Sequence, residues 1–271
     1  MARPLWLVNL VKKAFPSIKF LAKLTNVPII GKVFDFFLFE GDDIFYLPQD
    51  KIIPIDKTIE THDEYVLPSQ VLEYFVKKAN YHWIMDFCIC RSSMECKDYP
   101  INYGCLFLGE AALGINPQLG KRVSKEEALA YLKKCREAGL VHLIGRNKLD
   151  TQWLGVGPGD KLMTICNCCP CCCLWRISPI INPKIGSKVK KMPGVKVEVN
   201  KNCIGCGICS NGICFTDAIQ LYEGCAFISD ECRGCGRCVS VCPQGAIKLT
   251  LNDKKYIEKT IKTISSVLDV T

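Results

Sequence analysis

Two cysteine runs near the C-terminus constrain this chain more than any other feature: Cys203-Ile-Gly-Cys206-Gly-Ile-Cys209 and Cys232-Arg-Gly-Cys235-Gly-Arg-Cys238-Val-Ser-Val-Cys242-Pro243. In the second run three cysteines stand two residues apart, and a fourth follows three residues later, directly before proline. Three thiolates at that spacing sit on one tight loop and can wrap three corners of a metal–sulfur cluster. Gly205, Gly207, Gly234 and Gly236 leave room for backbone N–H groups to turn towards the sulfurs, where a Cβ would block the approach. The first run is a looser copy: four residues separate Cys209 from Cys214, and Phe215 stands at the proline position. Asp217-Ala218-Ile219 nonetheless matches Gly245-Ala246-Ile247, so the repeat persists beyond the cysteines. Disulfides or a pair of zinc ions do not call for two interleaved quartets.

The pattern resembles the two-cluster bacterial ferredoxin family over roughly residues 195–251. That resemblance implies crossed ligation of two [4Fe–4S] clusters. Cys203, Cys206, Cys209 and Cys242 would hold one, and Cys232, Cys235, Cys238 and Cys214 the other. Cys214 is the position at which the chain departs from the family spacing.

At 271 residues there is material for one large domain or two to three small ones. Twenty cysteines, clustered in a chain of this size, indicate metal ligation in a reducing compartment over a secreted disulfide scaffold. The early apolar residues are interrupted by Lys12, Lys13, Lys19 and Lys23, with no small-residue cleavage site, so no signal peptide is expected. No uncharged run reaches the roughly 18 residues that span a bilayer. The cytoplasm of an anaerobe or microaerobic cell is the simplest home.

Part of the net charge of +8 lies in residues 1–34, which carry Arg3, Lys12, Lys13, Lys19, Lys23 and Lys32 and no acid. On a helical projection Leu7, Leu10, Val11 and Ile18 share a face with Ala14 and Leu21, and Pro16 would kink or divide the helix. A basic amphipathic helix with Trp and Phe suits an anionic membrane interface. A partner subunit and the protein's own core are the two other readings. The Val33–Phe39 run adds four aromatics without choosing among them.

Residues 41–68 read as a linker, and a helix follows from about Ser69 with apolar residues at Val71, Leu72, Phe75, Val76 and Ala79. It leads to Cys88, Cys90, Cys96 and Cys105, four ligands within eighteen residues, enough for a cluster or a zinc site. Ser124 and Glu127 form a capping box for a helix over 124–138, with Gly139 at its stop. Strands are expected at 140–144 and 161–165 with a turn over 155–160, an order that matches a winged-helix wing in topology. The hairpin ends in Cys166, Cys168, Cys169, Cys171, Cys172 and Cys173, six cysteines in eight residues. Adjacent cysteines strain a disulfide, so metal ligation is the expectation, with two or three of the six in supporting roles. With the first four they make ten thiols, enough for one or two further iron–sulfur clusters. This Cys-x-Cys-Arg and CNCCPCCC arrangement, followed by a ferredoxin domain, resembles ferredoxin-domain proteins of anaerobes over about residues 70–251. The resemblance implies redox work without naming a substrate.

The expected fold is α+β in three parts: a basic amphipathic segment and linker (1–60), a cysteine-rich iron–sulfur domain (61–185), and a dicluster ferredoxin domain with a C-terminal helix (186–271). Residues 184–201, rich in lysine, proline and glycine, read as a linker between modules. Ile257, Ile261, Ile264 and Leu268 form one stripe on the last helix. His62 and His82 have no recognisable partner, and His142 is expected inside a strand near the six-cysteine loop. Gly155-Val-Gly157-Pro-Gly159 precedes a strand and carries a proline, so no nucleotide cofactor is expected. The 124–138 helix mixes Lys125, Lys133, Lys134 and Arg136 with three glutamates, a poor surface for nucleic acid. Cluster ligands without a substrate motif indicate an electron-transfer protein working with redox partners. The inner membrane face, reached through residues 1–34, is a further candidate contact. The alternative is a reductase whose catalytic cluster sits at the six-cysteine loop.

Overall fold

The computed structural model describes residues 3–50, 67–253 and 255–271. Its N-terminal segment is broken as Pro16 dictates: α1 (Leu5–Ala14), a 3-10 turn over Phe15–Ser17, then α2 (Ile18–Leu24). A proline ring has no N–H for the helical ladder, so the chain tightens by one residue there. Helix α3 (Pro28–Phe34) starts on Pro28, where the missing N–H costs nothing, and a wide helical turn over Asp35–Phe39 ends the run.

A seven-stranded sheet follows, interleaved with helices. Its strands are β1 (Asp43–Tyr46), β2 (His82–Met85), β3 (Leu106–Leu108), β4 (Gly120–Arg122), β5 (Val141–Arg146), β6 (Met163–Cys168) and β7 (Val189–Lys191), in the spatial order β4-β2-β3-β6-β5-β1-β7. All pairs are antiparallel except β1 with β7. Helices α4 (Ser69–Lys78) and α6 (Lys125–Glu137) cover one face, and α6 has the expected capping box, with Ser124 Oγ accepting from the Glu127 N–H and Glu127 from the Ser124 N–H. Phe75, Leu132, Ile144 and Ile165 meet in the core beneath them. Helices α5 (Ile89–Ser93) and α7 (Lys148–Leu154) lie with α1 and α2 near the other face, over Trp153, Leu154 and Val8.

Two expectations are corrected here. Strands β5 and β6 do not form a winged-helix wing: α7 lies between them, and they occupy the middle of the sheet. Residues 184–201 are not a solvated linker. They fold as α8 (Pro183–Gly186), edge strand β7 and β8 (Val195–Val199), because Val189 and Val195 are buried and four of the lysines have acidic partners. Lys188 and Lys184 pair with Asp35, and Lys190 with Asp43, so this basic stretch is tied to the N-terminal segment.

Two short sheets make the C-terminal part: β8 pairs with β11 (Ile247–Leu251), and β9 (Ile219–Tyr222) with β10 (Cys225–Ile228). Helix α9 (Arg237–Val241) follows the second cysteine loop, and a 3-10 turn over Ile208–Ser210 takes the matching place in the first. Helix α10 (Tyr256–Ser265) lays its stripe on the main core beside α4, with Ile264 fully buried. Ile264→Ala should destabilise the fold by about 2–5 kcal/mol through a cavity at that contact. A lowered thermal transition with unchanged iron content would show it, and an unchanged transition would mean α10 is not part of the cooperative core.

Candidate metal centres

All twenty cysteines are free thiols. Burial first, and neighbouring thiols after it, raise the pKa of both Cys209 and Cys238: Cys242, Cys203 and Cys206 act on Cys209, and Cys235, Cys232 and Cys214 on Cys238. Cys214, Cys232, Cys235 and Cys238 line one cavity together with Phe215 and Arg237. The irregular spacing before Cys214 does not displace it from its counterpart: Ala218 N–H donates to Cys214 Sγ and Ala246 N–H to Cys242 Sγ, both at 3.3 Å. Further N–H groups reach Cys203 from Ala226 and Cys232 from Gly234. Gly205 is in the left-handed region, and a Cβ there would lie 2.1 Å from Gly224 O. Phe215, at the proline position, is buried and packs its ring 5.2 Å from that of Tyr46. It joins the ferredoxin-like part to the central sheet.

The ten central thiols form two neighbouring groups that meet at Cys169. Strand alternation does the sorting: Cys166 and Cys168 oppose Leu143 and Val141 on one face, and Asn167 opposes His142 on the other. Cys166 and Cys168 join Cys88, Cys90, Cys105 and Cys173 around a cavity of about 210 Å³, and Cys169 also stands on its wall. Val11, Phe15, Ile18 and Leu21 of the N-terminal helices close over it, with Trp153 and Trp175 at its side. Beyond β6 the chain turns, and Cys169, Cys171 and Cys172 gather with Cys96, all four sulfurs within 4.8 Å of one another. Each of the six loop cysteines stands in one group or the other, and Cys169 in both. Cys135 packs, fully buried, with Leu140 and Cys169.

His142 is buried on the face away from Cys166 and Cys168, and burial lowers its pKa to about 3, leaving a neutral ring. His82 lies 2.7 Å from Val76 O through Nε2, and His62 lies outside the described residues. Two arginines were not singled out by the sequence. Arg91 is fully buried and donates to the carbonyls of Pro100, Asn167 and Tyr103. Its pKa is raised, against the opposing effect of burial, by the Cys88, Cys169 and Cys168 thiols. Arg237, between ligands Cys235 and Cys238, donates to Gly139 O and to the Tyr99 hydroxyl. The signal for both was an arginine embedded in a cysteine motif, where a cation offsets thiolate charge.

Converging thiols, N–H groups aimed at sulfur and glycine where a Cβ would collide fit iron–sulfur clusters at the ferredoxin quartets. The six-thiol cavity has donors enough for another. Burial pushes the Cys235 thiol up to about 12 and raises Cys173, so these thiols are protonated when metal-free and release protons on binding.

A model of the 4Fe-4S binding domain matches residues 226–248, which hold Cys232, Cys235, Cys238 and Cys242. The chain therefore carries a ferredoxin-type iron–sulfur domain. Over 56 residues it is 45% identical to one of the subunits of the ion-translocating oxidoreductase complex of Methanosarcina acetivorans, covering 20% of this chain and 21% of that protein. The chain thus spans about a fifth of that relative's length in the match. No solved structure matches.

Cys235→Ala should remove one ferredoxin cluster and leave the other detectable by EPR. Loss of neither would overturn the quartets. Because binding must displace protons from thiols held neutral by burial, a chelator should strip this cluster more readily as the pH falls. Stripping that is equally fast on both sides of neutrality would contradict it.

Proposed function

We propose that this chain passes single electrons between a reduced donor and a redox partner, using the two ferredoxin quartets and at least one central centre. The observation that carries the reading is the continuity between thiol groups. Phe215 beside Cys214 packs its ring at 42° to that of Tyr46, whose hydroxyl pKa is raised first by burial and then by the Cys173, Cys168, Cys235 and Cys166 thiols. The Gln49 N–H donates to Cys235 O, and Arg176 bridges Pro170 O of the six-cysteine loop to Gly212 O of the ferredoxin part. Bound clusters would supply reversible one-electron chemistry at potentials set by their surroundings. The protein's own contribution is to hold the thiols, aim N–H groups and arginines at them, and exclude water. Cys206 is exposed, and Ile204, Tyr222 and Phe227 stand exposed in the same ferredoxin part, a surface suited to a redox protein.

The oxidoreductase-complex relative supports a partner of that class. A peripheral place on an anionic membrane completes the proposal. The inner face of the N-terminal helices covers the six-thiol cavity, as a core reading required, while Trp6, Leu10, Phe20, Ile29, Phe36 and Phe37 remain exposed. Leu10, expected to share a face with Val11 and Ile18, is exposed, whereas those two line the cavity. Lys13, Lys19, Lys23 and Lys32 accompany this apolar ridge, each basic residue worth about 1 kcal/mol near anionic lipid. No helix among the described residues is long and apolar enough to cross a membrane.

Anaerobically purified protein should contain iron and acid-labile sulfide beyond the complement of two [4Fe–4S] clusters, and show EPR signals on reduction. Protein with no labile sulfide would remove the electron-transfer reading. Full-length protein should sediment with anionic vesicles, incompletely released by salt, and the Trp6→Ser/Phe20→Ser/Ile29→Ser variant should stay largely in solution. Equal sedimentation of both would reject the membrane surface.

A further inference from the structure

Resting on the reading that the central thiols hold metal, we infer that Cys96, Cys169, Cys171 and Cys172 bind one tetrahedral divalent ion of the zinc or ferrous class. The central iron–sulfur cluster would then belong to the six-thiol cavity alone. The four sulfurs all lie within 4.8 Å of one another, and Cys96 and Cys171 are 3.4 Å apart. An ion with metal–sulfur bonds of about 2.3 Å holds tetrahedral sulfurs roughly 3.8 Å apart, in the same range. A four-iron cluster puts each thiolate on a different iron and so spreads the sulfurs wider. The ferredoxin thiols provide the internal comparison: among the described residues, no three of them meet the mutual limit that the Cys96 group meets.

A second observation points the same way. Four thiolates around a divalent ion leave two net negative charges, which need a counter-cation if the group is to sit against a core. Arg91 is that cation. It is fully buried, and among the described residues it has no carboxylate partner. Arg91 and Cys169 of this quartet both stand on the wall of the cavity of about 210 Å³. Four protein ligands fill the tetrahedron, so the ion has no open position and its work is structural. It would staple the loop after α5 to the turn after β6, holding Cys168 and Cys173 towards the six-thiol cavity on either side of the quartet's own Cys169–Cys172.

Metal and acid-labile sulfide analysis of the whole protein tests this. The expected result is one zinc per chain, or one iron in excess of that matched by sulfide. Cys96→Ser should lose that one ion and leave sulfide and the EPR spectrum unchanged, whereas Cys88→Ser should lose iron and sulfide together and keep the ion. Protein produced with cobalt should show the charge-transfer and ligand-field bands of a tetrahedral tetrathiolate site, absent in Cys96→Ser. Iron and sulfide lost together in Cys96→Ser while wild-type protein gives no cobalt bands would overturn the inference in favour of a cluster. No metal change in Cys96→Ser would also overturn it. If Cys88→Ser instead leaves iron and sulfide unchanged, the central cluster is wrong while the cobalt bands still decide the single-ion site.

Discussion

The end of β6 is where this fold is most tightly constrained. A buried strand must send alternate side chains to opposite faces, and here those side chains are thiols. Cys166 and Cys168 go to the cavity beneath α1 and α2, and Asn167 goes to the other side. The turn at Cys169-Pro170 then carries three cysteines to Cys96 before Cys173 returns to the cavity. Between the two groups runs Arg91, anchored by three carbonyls. A buried guanidinium without a carboxylate is strongly unfavourable unless an anion stands in for one, and the surrounding cysteine thiolates are the anions available. The charge on Arg91 and the thiolate form of the surrounding cysteines therefore stabilise each other.

The ferredoxin-like part is held to this arrangement by side chains from its own ligand loops. Phe215 follows Cys214, Arg237 lies between Cys235 and Cys238, and each reaches into the central part, to Tyr46 and to Tyr99 and Gly139. The substitution of phenylalanine for the usual proline has a physical reason in this packing. A planar ring buried against Tyr46 gains contact area that a pyrrolidine could not supply. The cysteine loops therefore also serve as an interface.

Local chemistry made part of this legible in the sequence. The Ser124–Glu127 box fixes the start of α6, Pro16 breaks the first helix, and the cysteine spacing marks the 4Fe-4S domain matched over residues 226–248, because each signal acts within a few residues. Strands β1 and β7 were not legible: their three to four residues pair only with each other and with β5, far away in the chain. The lysines around β7 suggested solvent, but three of them answer Asp35 and Asp43, more than a hundred residues earlier. Helix α7 hid behind the glycines at 155–159, which read as the whole turn. The division of the ten thiols into two neighbouring groups depended on strand facing and on the turn at Pro170, which spacing alone does not encode.

The EPR spectrum of the fully reduced whole chain tests most directly whether the thiol groups form one redox-connected set. Paramagnetic centres held this close broaden and split each other's signals. Spectra of the full protein should show the ferredoxin signals altered relative to Cys88→Ser, in which the central cluster is lost and the ferredoxin quartets remain. Ferredoxin signals identical in the two proteins, with the central centre present and reduced in the first, would contradict the connection.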